Sequence, residues 1–176
     1  MRVLVTGSSG HLGEALVRTL RDLEHEVVGL DILPSPFTTC VGSITDRSSV
    51  AKCMIGVQVV FHVATLHKPH VDTHSRQSFV DTNITGTLNL LEEAVTRGVE
   101  SFVFTSTTSV FGDALVPPAG APSAWITEDV RPIPKNTELP KRLLKIFVSY
   151  FTKMKDLRAS SSEYHDFFRK KTSTEQ

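Results

Sequence analysis

Three glycines near the amino terminus have a spacing that suits phosphate binding. The segment 6–13 reads Thr-Gly-Ser-Ser-Gly-His-Leu-Gly, with glycines at 7, 10 and 13. Gly7 permits a tight turn, Gly10 lets the backbone approach a pyrophosphate, and Gly13 lets a helix pack closely on a strand. The amide groups of a helix N-terminus would then face the phosphates. Such glycines also occur in flexible turns, so the neighbouring elements must decide between the two interpretations.

The predicted elements around the glycines are those that a dinucleotide site requires. A strand is predicted from Arg2 to Thr6, an amphipathic helix from His11 to about Leu23, and a second strand from His25 to Leu30. Asp31 ends that strand roughly 20 residues beyond the glycines, where a carboxylate accepts from a ribose 2'-hydroxyl. Because this charge would repel a 2'-phosphate and no Arg or Lys flanks it, NAD is favoured over NADP.

Further along, short apolar runs alternate with stretches of helical period. Strands are predicted near 40–41 and over 57–63 and 101–106, and helices from Asp46 and from about Ser75 to Arg97, which Gly98 ends. The residues expected on the inward helix faces are Leu12, Ala15, Leu16, Leu20 and Leu23, then Phe79, Ile84, Leu88, Leu91 and Val95. This alternation predicts an α/β fold with a doubly wound parallel sheet of about five strands. The proline-rich stretch 116–134 is a predicted loop anchored by Trp125.

Two later segments complete a family resemblance. They read Phe-His-Val-Ala-Thr over 61–65 and Phe-Val-Phe-Thr-Ser-Thr-Thr-Ser-Val-Phe-Gly over 102–112. With the glycine segment and Asp31, they resemble the extended short-chain dehydrogenase/reductases, specifically the NAD-dependent epimerase/dehydratases such as the UDP-sugar 4-epimerases. The resemblance covers about residues 1–136. It implies an NAD(P)-binding Rossmann fold, incomplete at the C-terminal end, hydride transfer on a nucleotide-sugar or similar hydroxyl or keto substrate, and homodimers for intact relatives.

The resemblance also implies roles for individual residues. Asp31 matches the family's ligand to the adenosine ribose, and Ser43 stands where the family has an Asp against the adenine. Thr107 takes the position of the catalytic Ser or Thr. The implied cofactor-binding residues are Gly7, Ser9, Gly10, His11, Leu12, Gly13, Asp31, Ser43, Ile44, Ala64, Thr65, Asn83, Thr105 and Ser106.

One part of the family's machinery is absent from the sequence. In this family a Tyr phenol acts as acid or base, and a Lys four residues later lowers its pKa from the usual value near 10. The chain has two tyrosines, Tyr150 and Tyr164, and the residues four positions later are Met154 and Phe168. A catalytically inactive fragment, or a regulatory module that binds a dinucleotide, is therefore the alternative to an active enzyme.

We hypothesise that a shift of reading frame accounts for the missing pair. Read one base early, the codons of 137–147 can encode Tyr-Gly-Val-Thr-Lys-Thr-Ala-Ala-Glu-Asp-Leu, and those of 163–171 can encode Arg-Val-Ser-Arg-Phe-Phe-Pro-Glu-Glu. The first stretch contains the family's Tyr-x-x-x-Lys pattern. We therefore expect a Rossmann domain over 1–136 and an unrelated basic tail over 137–176, helical or disordered. A genuine shortened homologue is the alternative.

Other clusters predict no chemistry. His67, His70 and His74 have spacings that suit a metal, but no second cluster completes a four-ligand shell, so we expect a polar loop and no metal. His62 lies on a predicted strand and is expected to be a core histidine. Ser109 with His62 and Asp113 lacks the Gly-x-Ser-x-Gly pattern of a hydrolase. Cys40 and Cys53 are expected to be reduced, structural thiols.

Composition excludes further classes. The 176 residues include 19 basic and 19 acidic side chains, so no net charge would recruit nucleic acid or an anionic membrane. The zero conceals an acidic 1–136 and a basic 137–176. No run of about 18 apolar residues occurs, and we expect a strand rather than a leader at the amino terminus. We expect a cytoplasmic protein that acts on a small molecule.

Overall fold

The structure, a computed structural model, describes residues 1–106, 111–123, 125–127, 130, 131 and 133. These residues contain five strands: β1 (Arg2–Thr6), β2 (Glu26–Asp31), β3 (Cys40–Val41), β4 (Val59–His62) and β5 (Ser101–Phe104). They form one parallel sheet in the order β3-β2-β1-β4-β5. The predicted doubly wound parallel sheet is confirmed, since the chain adds β2 and β3 on one side of β1 and then β4 and β5 on its other side.

In the described part of the chain, four α-helices connect the strands: α1 (His11–Asp22), α2 (Arg47–Cys53), α3 (Arg76–Val80) and α4 (Thr87–Arg97). Their ends follow local signals in the sequence. Asp46 caps α2 by accepting from the Ser48 amide at 3.0 Å, and Ser75 caps α3. Gly98 ends α4 in the left-handed region, at a φ of 69°.

The inward face of α1 differs from the prediction. The buried residues are Gly13, Val17 and Leu20, whereas Leu12 is 44% exposed and Ala15 also faces solvent. Gly13 is the reason, because a Cβ there would lie 1.9 Å from the Gly7 carbonyl oxygen. The helix therefore packs against the glycine loop through Gly13, and Leu12 faces solvent.

The long predicted helix is interrupted in its middle. Between α3 and α4 lies a π-helical segment, Asp81–Gly86. The wider turn changes the phase of the helix. The buried residues of α4 are consequently Thr87, Asn89, Leu90, Leu91, Glu93 and Ala94, while Leu88 and Val95, which were expected inward, are only half-buried.

Both faces of the sheet are covered, as the continuous apolar runs predict. One core layer, under α2 and α4, includes Leu4, Val28, Val60 and Leu90. The other, under α1, consists of Val3, Val5, Val17, Leu20, Val59 and Phe61. This double cover leaves the carboxyl edge of the sheet as the place for a ligand.

The segment after β5 runs without a further strand in its described parts. Trp125 is 88% exposed, so the expectation that it anchors this loop is wrong. Backbone bonds hold the loop instead: Asp113 donates to Ile133 at 2.8 Å, and Ile133 donates to Phe111 at 3.0 Å. In the described residues, no helix is both long and apolar enough to span a bilayer.

Candidate functional site

The carboxyl ends of β1 and β4 meet at the point where the strand order reverses. Thr6 lies opposite both Leu30 and His62 in the strand registers. Directly beyond it, Gly7 adopts a φ of 72°, and a Cβ there would lie 2.8 Å from the Ala64 amide nitrogen. Only glycine therefore allows these two loops to touch, and they form the floor of the crevice in which open α/β sheets bind ligands.

The glycine loop leads directly into α1. The Gly7 amide donates to Leu30, and the Gly10 amide donates to Gly7 at 3.1 Å. Gly10 is the N-cap and offers no side-chain hydrogen bond to the first turn. A Cβ on Gly10 would have only the Gly7 oxygen within 4 Å, at 3.3 Å, so its outer side is open. An uncapped positive helix end beside an open glycine suits a diphosphate group.

Asp31 connects the end of β2 to this loop. Its two carboxylate oxygens accept from different amides, Oδ2 from Ser9 at 3.0 Å and Oδ1 from Leu33 at 2.9 Å. The half-buried carboxylate is thereby fixed beside the glycine loop, with lone pairs left for a ligand hydroxyl. Within the described part of the chain, no ion pair involves Asp31. Its charge therefore faces any ligand unneutralised.

The loop after β3 is held in place by α4 and the π-helical segment before it. Ile44 is 5% exposed and packs into the core, where a Cβ on Gly86 would come within 2.6 Å of its Cγ1. Asn89 donates to the carbonyls of Ile44 and Thr45 at 3.1 and 3.2 Å. The Ser43 hydroxyl, at the position where the resemblance implies an Asp, forms a hydrogen bond with the Thr45 hydroxyl at 2.8 Å.

Asn83, in the π-helical segment, fixes the loop after β4. Its side chain makes both backbone bonds to Leu66, donating to the carbonyl and accepting from the amide, each at 2.8 Å. The Thr65 hydroxyl donates to the same amide oxygen at 3.1 Å. The predicted residues Ala64, Thr65 and Asn83 are therefore brought together beside Gly7.

His62 links these loops from beneath. The ring is 2% exposed, with Nδ1 at 2.8 Å from the Thr6 hydroxyl and Nε2 at 2.9 Å from the Thr87 hydroxyl. Thr87 donates to the Asn83 carbonyl, so it accepts from Nε2, and Nδ1 in turn accepts from Thr6. Burial lowers the pKa of His62 to about 4, so the ring is neutral. The expected core histidine is confirmed.

The Thr6 hydroxyl completes the connection by accepting from the amides of Val63 and Ala64 at 3.1 and 3.2 Å. A line of hydrogen bonds thus runs from the loop after β4, through Thr6, His62 and Thr87, to the π-helical segment. Sequence reasoning missed Thr6, Thr87 and Asn89. A signal was present, since polar residues that interrupt the apolar side of a strand or helix have buried partners.

The remaining predicted residues lie at the end of β5. The Thr105 amide donates to His62 at 3.0 Å, and both Thr105 and Ser106 are exposed at the same edge. Thr107, predicted to be catalytic, lies outside the described residues, as do Tyr150 and Tyr164. The imidazole rings of His67, His70 and His74 stack edge to face at 4.7 and 5.5 Å. No metal-binding group of side chains is found among the described residues.

A doubly wound sheet with a glycine loop at its switch point and an acidic residue at the end of β2 defines a Rossmann domain of the short-chain dehydrogenase/reductase type. The family model described as NAD dependent epimerase/dehydratase matches residues 3–137. The chain belongs to this family.

Similar proteins include enzymes with different substrates. The chain is 40% identical over 119 residues to a 3-beta-hydroxysteroid dehydrogenase of Mycolicibacterium neoaurum, covering 62% of this chain and 32% of the relative. It is 32% identical over 135 residues to a UDP-glucose 4-epimerase of Erwinia amylovora, covering 66% and 40%. The chain thus matches only about a third of the length of these relatives.

Solved structures show the same fold. The NAD complex of Thermus thermophilus UDP-glucose 4-epimerase superposes with a TM-score of 0.73 at 27% identity, covering 88% of this chain and 51% of that one. An Agrobacterium tumefaciens short-chain dehydrogenase/reductase superfamily protein with bound NAD gives 0.70 at 29%, covering 88% and 44%.

Proposed function

We propose that residues 1–136 bind NAD at the carboxyl edge of the sheet. The observation that carries this proposal is the Asp31 carboxylate, fixed by the Ser9 and Leu33 amides beside an open glycine loop. The NAD complexes of two structural neighbours support it. A carboxylate at this position accepts from the ribose hydroxyls of NAD and repels the 2'-phosphate of NADP.

The residues present divide among the parts of the cofactor. The amides of the glycine loop and of the first turn of α1, from Gly7 through His11 and Leu12 to Gly13, would hold the diphosphate. Ser43 and the backbone of Ile44, whose side chain is buried in the core, would hold the adenine. Ala64, Thr65, Asn83, Thr105 and Ser106 would line the nicotinamide side. When bound, the nicotinamide accepts or donates a hydride.

For the whole enzyme, we propose hydride transfer on a hydroxyl or keto carbon of a nucleotide-sugar or a similar substrate. Relatives named as UDP-glucose 4-epimerase and 3-beta-hydroxysteroid dehydrogenase support this reaction class, since each acts on a ring hydroxyl. They do not select between the two substrates. Thr107 would share the hydrogen bond to the substrate hydroxyl.

The present chain is proposed to be catalytically inactive, because no Tyr-x-x-x-Lys pair follows its Rossmann domain. The family match ends at residue 137, next to the position where the frame-shift hypothesis places the divergence, and this supports the hypothesis. Sequencing the coding DNA tests it. Codons of 137–147 that do not encode Tyr-x-x-x-Lys one base earlier would exclude a frame shift.

Calorimetric titration with NAD, NADH and NADP tests cofactor binding. We expect NAD to bind more tightly than NADP, and Asp31→Asn to weaken NAD binding about tenfold or more, since it removes a charged acceptor. Asp22→Asn removes the same charge at the end of α1 and serves as the matched control. A folded wild-type chain that binds neither NAD nor NADH would overturn the proposal. Measurable turnover of UDP-glucose or a 3β-hydroxysteroid would overturn the inactivity.

A further inference from the structure

The two cysteines of the chain lie on neighbouring elements. Cys40 is half-buried on the edge strand β3, and Cys53 is 3% exposed as the last residue of α2. Both belong to the same packed layer of the core. Since the sequence contains two cysteines, any disulfide within one chain must join this pair.

The packing of β3 against α2 sets the two side chains at the same level. A Cβ on Gly42, just after β3, would lie 3.0 Å from the Cβ of Ser49. Cys40 is two residues earlier on the same side of the strand, about 6.6 Å back. Cys53 is four residues later on the same helix face, about 6 Å along α2. Because α2 runs antiparallel to β3, Cys40 and Cys53 lie next to each other.

Cys40 packs against the buried cluster that includes Cys53. Burial, together with the neighbouring Cys40 side chain, raises the pKa of Cys53 to about 12. Cys53 is therefore a protonated thiol at neutral pH. Cys40 is the more exposed of the two and is the sulfur that an oxidant reaches first.

We propose that Cys40 and Cys53 form a reversible intramolecular disulfide when the protein meets a peroxide. The Cys40 sulfur attacks one peroxide oxygen and the O–O bond breaks, which leaves a sulfenic acid and one water. The Cys53 sulfur then attacks the Cys40 sulfur, and the S–O bond breaks to release a second water with the Cys53 proton. Two thiols lose two electrons, and one hydrogen peroxide is reduced to two waters.

The disulfide would close a loop that contains Ser43 and Ile44, the residues proposed to hold the adenine. Bond formation brings the two sulfurs to about 2 Å from each other. This pulls β3 toward α2 and away from the position that Asn89 sets for the Ile44 carbonyl. The oxidised chain should therefore bind NAD at least about threefold more weakly. This consequence, unlike the bond itself, rests on the proposed function.

Mass spectrometry of the full chain tests the bond. The protein is treated with hydrogen peroxide, its free thiols are alkylated, and it is digested with trypsin without reductant. We expect a monomer that has lost two hydrogens and a peptide 22–47 linked to 53–76, both reversed by dithiothreitol. The variant Cys53→Ser should instead accumulate a sulfenic acid at Cys40, which dimedone captures, and Cys40→Ser should leave Cys53 unmodified.

Oxygen added to wild-type Cys40 without a linked peptide, or links between copies alone, would overturn the proposed bond. Titration of the reduced and oxidised chains with NAD tests the consequence separately. Equal affinities would overturn the effect on the site. A reduced chain that binds no NAD would refute the proposed function and leave the linked peptide as an independent result.

Discussion

Lowering the pH should weaken this fold through one buried ring, that of His62. The ring accepts from Thr6 at Nδ1 and donates to Thr87 at Nε2, and both bonds require the neutral form. A proton added at Nδ1 would turn this nitrogen into a donor that faces the donating hydroxyl of Thr6 inside the core. The rings that contact His62 are those of Phe102 and Phe104, and neither side chain carries a charge that would stabilise an imidazolium.

The size of the effect follows from the two pKa values. In the folded chain the pKa of His62 is lowered to about 4 by burial, against 6.5 for the unfolded chain. This difference corresponds to about 3 kcal/mol, a sizeable part of the usual 5 to 15 kcal/mol of a domain. Between these values the unfolded chain binds the proton and the folded chain does not. The stability that the neutral His62 ring contributes is therefore fully present above about pH 6.5. It falls as the pH drops toward 4, by at most about 1.4 kcal/mol per pH unit.

Urea unfolding followed by circular dichroism measures this loss. Wild type and His62→Gln are compared at several values between about pH 7.5 and pH 4.5, with reductant present. The variant should be about 2 kcal/mol less stable at neutral pH, because it leaves a buried hydroxyl unpaired, and should show a shallower pH dependence. His25, whose pKa is also lowered by burial and by the amino terminus, titrates in both proteins and cancels in the comparison.

Parallel pH profiles for the two proteins would refute this reasoning, since they would show that His62 does not titrate between the two states. A second measurement is independent of the variant. The ring proton signals of wild-type His62 should remain those of a neutral imidazole down to about pH 5. A midpoint near 6.5 in the folded protein would contradict the buried network.

Two further perturbations separate folding from binding. Gly13→Ala should lower the free energy of unfolding by more than about 3 kcal/mol, because its Cβ would lie 1.9 Å from the Gly7 carbonyl oxygen. Gly10→Ala, whose Cβ would have its nearest atom at 3.3 Å, should lose far less stability. Thermal unfolding measures both variants, and equal losses of stability would contradict the packing of Gly13 against Gly7. Asn89→Ala leaves the Ile44 carbonyl unpaired and should weaken AMP binding about tenfold while sparing nicotinamide mononucleotide. Calorimetry with the two fragments would contradict the role of Asn89 if both weakened equally.

The sequence by itself determined the features that depend on short spacings. The capping residues Asp46 and Ser75 and the left-handed Gly98 bond or bend the backbone within a few residues, so their types alone located the helix ends. The glycine segment and Asp31 were equally readable, because the turn after β1 and the end of β2 require those residue types. The parallel strands followed from their continuous apolar runs.

The tertiary structure decided what depends on distant partners. Thr6 and His62 are 56 positions apart, and Asn89 and Ile44 are 45 apart, so no local pattern shows that they bond. The π-helical turn at 81–86 moves the buried face of α4 away from its periodic prediction. The proximity of Cys40 and Cys53 in one core layer likewise arises only when α2 folds back along β3. Hydrogen bonds and packing between elements depend on how the sheet brings them together, and the linear pattern contains only the residue types that make those contacts possible.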